Sequence, residues 1–258
     1  MCLALAACAR ERPLRLGATF TLEQSGALAG IDTLWEGRPF QVIIGASGQT
    51  LRSAAAGDLD IVITHAPGLE QSILVGPGLS ARACPLFASR FGIVGPATDP
   101  ASIRDLQSAV EAMRRIARVG TVFVSRGDSS GTHQKERQLW RLAGVDPDGE
   151  LWHLESGGSQ AANVRQAEHW SGYTLVDLPT WGAMHENIEL QLLMAPFDTL
   201  LQNPYTLYLV KPPAGLTAHP GAAALADWLT TAWRAHVLGL QLPDGQPAFV
   251  KRDGECST

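Results

Sequence analysis

Three observations predict an α/β fold with a mainly parallel sheet. Short apolar strands alternate with helical segments along the 258 residues. Three of the strands run straight into Gly/Ser/Thr loops that open helices, at Thr19 to Ser25, Gly45 to Gln49 and Ser125 to Thr132. The chain is also long enough to bury one large core or two smaller ones. In parallel α/β sheets, ligands sit beyond the carboxyl ends of strands, where such loops lie.

Leu14 to Ala18 reads as the first strand, and Ser25 begins a helix that runs to Trp35. Gln41 to Ile44 is the second strand, followed by a helix from Gln49 to Ala56 with Gly57 as its C′ residue. Leu59 to Thr64 and Phe91 to Val94 are further strands. Asp99-Pro100 supplies a cap and first-turn proline for a helix from Ala101 to Ala117. Its Ile103, Leu106, Val110, Met113 and Ile116 recur at three and four, a helical stripe. Val119 to Val124 is a buried strand, and Gln134 to Leu142 a helix stopped by Gly144. Tyr173 to Val176 and Tyr205 to Val210 are later strands, and Ala222 to Leu238 a long amphipathic helix.

Composition narrows the function classes. With 45% hydrophobic and 17% charged residues the chain is an ordinary globular protein. Its net charge of −5 gives a nucleic-acid partner no global support. No apolar run reaches the ~20 residues that span a bilayer. Met1 to Ala7 is short and apolar, and Leu5-Ala6-Ala7-Cys8 is similar to a bacterial lipobox, although no basic segment precedes it. Residues 1–12 therefore read as a signal remnant, with export expected and a lipid on Cys8 as the one membrane attachment. Cys84 and Cys256 could pair, or stand as a buried thiol and a tail thiol; the unpaired reading is preferred.

The most informative stretch is Ser125-Arg126-Gly127-Asp128-Ser129-Ser130-Gly131-Thr132-His133. A strand, a hydroxyl-rich loop and a helix N-terminus make an anion site from unpaired N–H groups and the helix dipole. Ser130 or Thr132 can cap the helix, and Arg126 adds a charge with fork geometry suited to an oxyanion. Asp128 is unfavourable beside an anion. Either it orients Arg126, which suits a fully ionised ligand, or it accepts a proton from a protonated one, which suits phosphate. The facing loop Gly45-Ala46-Ser47-Gly48 lacks the spacing of a dinucleotide fingerprint and the lysine of a nucleotide-hydrolase loop, leaving Ser47 and backbone N–H groups as its contribution.

The histidines form no zinc-ligand pair, and there is no CxxC, so no metal site or cofactor is expected. His65, in Thr64-His65-Ala66-Pro67, either lines the cleft or is a satisfied structural histidine, the second being preferred. Gly127 to Gly131 is similar to the nucleophile loop of trypsin-like proteases, with Ser130 as nucleophile and His65 as base. That fold is all-β, however, and no GxSxG elbow is present. Catalysis is not expected.

These motifs together resemble the tungstate-binding periplasmic proteins of ABC transporters, the TupA family. SRGDSSGTH at 125–133, completed by Glu136, carries the likeness. Gly57-Asp58-Leu59-Asp60, His65-Ala66-Pro67 with Glu70, Gly95-Pro96, Tyr173-Thr174-Leu175 with Asp177, and Asn203-Pro204-Tyr205 support it. The resemblance implies a two-lobed type II periplasmic-binding-protein fold that closes over an oxyanion and delivers it to an ABC permease. Lobe one would hold residues 13–94 and 205–258 and lobe two 95–204, with crossovers near Gly95 and Tyr205. The ligand set would be Thr19, Thr21 and Ser47 opposite Ser125, Arg126, Ser130, Gly131 and Thr132, in a monomer. The family's TTTS run is here Ala18-Thr19-Phe20-Thr21, and Ser129 replaces an aspartate. Tungstate is the expected ligand, with molybdate or phosphate as alternatives. Outside this class stand a ligand-sensing domain and a hydrolase using Ser130.

Overall fold

Strand β1 (Leu14–Thr19) buries Leu14, Leu16 and Ala18 and ends at the first Gly/Ser/Thr loop. The computed structural model describes residues 12–104, 106–195 and 199–257. Of the expected signal remnant 1–12, residues 1–11 with Cys8 lie outside the described part, and Arg12 is described and bonds Asp60. Helix α1 (Phe20–Gln24) starts directly after Thr19, earlier than expected, and Ser25 closes it. The predicted helix from Ser25 to Trp35 is reduced to α2 (Ile31–Leu34), because Gly26 and Gly30 take left-handed backbone at φ 80° and 65°.

β2 (Phe40–Gly45) leads into α3 (Ser47–Ala55), and Gly57 follows at φ 87°. β3 (Ile61–Thr64) is buried throughout. α4 (Pro67–Glu70) continues as a π-turn over Gln71–Val75. β4 (Ser80–Gly95) is a 16-residue strand of which the sequence showed only the last part. α5 (Ala109–Val119) begins at Ser108, whose hydroxyl accepts from Glu111 N–H. The predicted start at Ala101 fails because Asp99 and Ser102 sit at positive φ. Asp99 instead accepts from the N–H groups of Ile103 and Arg104, capping an isolated turn.

β5 (Phe123–Ser125) is shorter than predicted, since Val119 belongs to α5 and Gly120 ends that helix. α6 (Gly131–Ala143) starts one turn before Gln134. Its Ser130 cap accepts from His133 N–H at 3.1 Å, and Gly144 takes the left-handed C′ position. β6 (His153–Glu155), α7 (Gln160–His169), β7 (Thr174–Asp177), α8 (Leu178–Met184) and β8 (Gln191–Met194) follow. Then come β9 (Gln202–Val210), α9 (Ala222–Trp228), a π-turn over Leu229–Trp233, α10 (Arg234–Leu238) and β10 (Val250–Lys251).

The main sheet has the order β10-β4-β9-β3-β1-β2, with β7 and β8 also on β4. It is mixed. β1 pairs in parallel with β2 and β3, and β5 with β6, whereas β4 and β9 run antiparallel to their partners. These two strands also link two separate cores. β4 gives Leu86 and Phe87 to a core with Leu16, Leu225 and Trp233, and Phe91 and Ile93 to one with Met113, Phe123 and Trp140. β9 gives Tyr205 and Leu207 to the first, and the preceding Leu201 to the second.

Cys84 and Cys256 are joined by a disulfide, with Cα atoms 4.2 Å apart, so the unpaired reading is corrected. The bridge pins the C-terminal segment to β4, where Ser257 also pairs with Ala83. The sequence left that pairing open because the two cysteines are 172 residues apart.

Candidate functional site

The ends of β1, β2 and β5 bring the starts of α1, α3 and α6 to one place. Thr19, Phe20, Thr21, Gly45, Ala46 and Ser47 face His65, Arg126 and Ser130 across a small, tightly closed cavity. The walls touch directly. Gly48 N–H donates to Ser129 O at 2.9 Å, and Ala161 N–H to Gln24 Oε1 at 3.0 Å. A roomier groove of about 460 Å³ lies elsewhere, against Leu59, Val210 and Leu216. It is mainly apolar, and its Arg12 and Asp60 already bond each other.

Arg126 is the centre of the small cavity. Its side chain is 1% exposed, a severe desolvation for a permanent cation. Nη2 donates to Asp128 Oδ2 at 2.6 Å, but Nε and Nη1 are buried without a partner. Burial pulls the guanidinium pKa down, and Asp128 pulls it back. Asp128 is itself committed, because its Oδ1 accepts from Ser130 N–H at 2.9 Å. Both carboxylate oxygens thus serve to orient Arg126 and the loop. Across the cavity Ser47 Oγ is also buried and unpartnered. Ser130 Oγ accepts from His133 N–H, which leaves its own proton for a ligand. The N-termini of α3 and α6 add their partial positive charge.

Thr19, Thr21, Ser47, Arg126 and Ser130 therefore meet at one cavity. Three other residues of the expected ligand set do not line it. Ser125 Oγ donates to Glu136 Oε2 at 2.7 Å, and Thr132 Oγ1 donates to Gln160 Oε1 at 2.8 Å. Their hydroxyls hold the loop and the start of α6 in place. Gly131 is a spacer: a Cβ there would stand 2.4 Å from His65 Nδ1.

His65 lines the cavity and is also fully satisfied, so the two readings of it merge. Nδ1 lies 2.7 Å from Asn203 Oδ1 and Nε2 lies 2.9 Å from Thr21 Oγ1. Asn203 Nδ2 donates to Asp177 Oδ1 at 2.8 Å, which fixes its Oδ1 as the acceptor facing His65. The imidazole is accordingly the Nδ1–H tautomer, and Thr21 donates to Nε2. Desolvation lowers its pKa to about 4; Asn203 opposes this, Arg126 adds to it, and Asp128 opposes it. Neither ring nitrogen is bonded to Ser130, so the nucleophile–base pair of the hydrolase reading is not formed. Asn203, Asp177 and Ser89 extend the network to β4 and β9, and Ser89 Oγ donates to Asp177 Oδ1. Burial raises the Asp177 pKa to about 6, against the bonds from Ser89, Asn203 and Thr180 N–H.

Sequence reasoning missed the roles of Asn203, Asp177 and Gln160. For Asp177 and Asn203 a polar residue at an apolar strand end was the available signal, and Gln160 opens α7 with no such mark.

Comparison with known proteins adds a second line. The model of the family described as PBP superfamily domain matches residues 17–232. A Haloferax volcanii protein named putative ABC transporter anion-binding protein is 35% identical over 207 residues, which is 77% of this chain and 60% of that protein. The chain thus spans somewhat under two thirds of that relative's length. The tungstate-binding protein TupA of Peptoclostridium acidaminophilum is 28% identical over 203 residues, 77% of this chain and 70% of that one. The crystal structure of the tungstate ABC transporter from Geobacter sulfurreducens superposes with a TM-score of 0.74 at 34% identity, over 85% of this chain and 94% of that one.

Proposed function

The chain belongs to the PBP superfamily, and on that premise we propose that it is the substrate-binding protein of an ABC transporter, with tungstate as its ligand. One observation carries the ligand class. A buried cation keeps two unpartnered donors, Nε and Nη1 of Arg126, on a cavity whose other free groups are hydroxyl donors. Such a site is complementary to a small oxyanion and repels cations. Asp128 supports a fully ionised ligand over phosphate, because it does not line the cavity and its oxygens are turned to Arg126 and Ser130 N–H. The relatives named for tungstate support that choice among dianions.

Residues 13–94 with 205–258 and residues 95–204 act as two lobes that part and close by bending at β4 and β9. The contacts of Gly48 with Ser129 and of Gln24 with Ala161 are those made on closure. The protein binds and releases without catalysis, as a monomer that presents the closed form to a permease. An extracytoplasmic location is supported by the Cys84–Cys256 disulfide, which suits an oxidising compartment. A lipid on Cys8 would hold the protein at the membrane.

Calorimetric titration with tungstate, molybdate, sulfate and phosphate tests the reading. Tungstate should bind more tightly than phosphate, and Arg126→Ala should weaken it at least about a hundredfold through loss of charge-assisted bonds. Arg126→Lys should not restore it, since one ammonium cannot replace the fork. Absence of binding for all four anions sinks the proposal.

A further inference from the structure

The charge of the closed site does not match a dianion. Arg126 and Asp128 form an ion pair, which leaves the cavity close to neutral apart from the helix dipoles. The hydroxyl protons are also short by one. With His65 in its Nδ1–H tautomer, the Thr21 proton is committed to Nε2, and Thr19 Oγ1 lies 3.1 Å from Thr21 Oγ1. Thr19 then donates to Thr21, so the hydroxyl protons left for a ligand are those of Ser47 and Ser130. If Nε2 carried a proton, it would donate to Thr21, and one of the two threonine protons would be freed toward the cavity.

We infer that His65 is a charge-matching member of the site, which takes up one proton from solvent when a dianionic oxyanion binds and thereby selects for that charge. This rests on the oxyanion-binding reading. The step balances: neutral imidazole plus one solvent proton gives imidazolium, Nε2–H bonds Thr21, and no bond between heavy atoms changes. Every group packed on His65 is compatible. Thr21 on α1 reverses its role, and Asn203 Oδ1 on β9 continues to accept from Nδ1–H. Tyr205, stacked on the ring at 4.9 Å, is held neutral by burial. Arg126 and the start of α6 at Gly131 disfavour the imidazolium until an anion offsets them, while Asp128, and Asp177 beyond Asn203, favour it. The anion therefore supplies the missing term, and the free site stays unprotonated.

The sign follows from linkage. The bound state holds the extra proton, so affinity falls as pH rises, by up to about tenfold per pH unit. Sodium tungstate titrated at pH 7 in two buffers of different ionisation enthalpy should report about one proton taken up per anion. His65→Gln should bind at least tenfold more weakly with uptake near zero, and Asp177→Asn should keep the uptake, which assigns it to the imidazole. Nitrogen-15 NMR of the histidine-labelled wild-type protein gives an independent readout: the two His65 ring signals should converge to the imidazolium pattern on adding tungstate. Tungstate binding without uptake, uptake retained in His65→Gln, or ring signals left in the neutral pattern overturns the inference. Wild-type protein that binds none of the four anions overturns the parent reading and this one together, and is recognised by the absence of heat.

Discussion

Two hydroxyls at helix starts around the cavity show how differently equivalent-looking residues behave. Ser47 Oγ is buried without a partner, whereas Thr132 Oγ1 donates to buried Gln160. Ser47→Ala removes no bond of the free protein and relieves an unsatisfied group. It should leave thermal stability unchanged or raised while weakening tungstate by about three- to tenfold. Thr132→Val strands the Gln160 acceptor and should destabilise by about 1–3 kcal/mol with a smaller direct effect on affinity. Differential scanning calorimetry beside isothermal titration separates the two. Thr132 losing affinity at full stability would return it to the ligand set. Both residue types were legible in the sequence as loop hydroxyls at a helix start. Their opposite roles depend on a neighbour 28 residues on, and on nothing local.

At the scale of elements, the first turn of α6 works through the absence of a side chain. A Cβ at Gly131 would stand 2.4 Å from His65 Nδ1 and 2.6 Å from His65 O. Backbone as well as side chain is in the way, so a rotamer change cannot relieve the clash. Gly131→Ala should hold the loops apart. Tungstate affinity should drop at least tenfold, stability should stay near that of the parent, and small-angle scattering should show a larger radius with ligand present. An unchanged radius and affinity would mean that the contact is not part of closure. Elements with strong punctuation were readable in advance: α3 and α6 end at Gly57 and Gly144, both left-handed. Those with competing local bonds were not, because Asp99 spends its carboxylate on a turn and delays α5 to Ser108.

For the whole molecule, two buried groups of one network set opposing pH dependences in the ligand-free protein. The His65 pKa is depressed to about 4, so its contribution is present above the unfolded value and lost as pH falls toward 4. The Asp177 pKa is raised to about 6, so its contribution is present at low pH and lost as pH rises through 6. Between pH 4 and 6 the two largely cancel. Asp177→Asn should unmask the histidine, and urea denaturation of that variant should show stability climbing with pH by roughly 1 kcal/mol per unit in that window. A flat profile would count against the shift at His65. The disulfide acts at the same scale, since it closes a loop with a sequence separation of 172. Cys256→Ser should cost about 2–4 kcal/mol in urea. An unchanged midpoint would show that the C-terminal segment contributes through its other contacts.

By itself the sequence determined the class of fold, and it marked the Gly/Ser/Thr segments and Arg126. Each of these is written in neighbouring residues: apolar runs, glycine stops, and a cap followed by a helix. Tertiary structure alone decided which loop hydroxyls face the cavity. It also paired Cys84 with Cys256 and joined His65 to Asn203 and Asp177. Those outcomes depend on residues brought together by β4 and β9 across large sequence separations. Local propensity carries no information about such partners, because the energy of a buried polar group is settled by what it meets after the chain has packed.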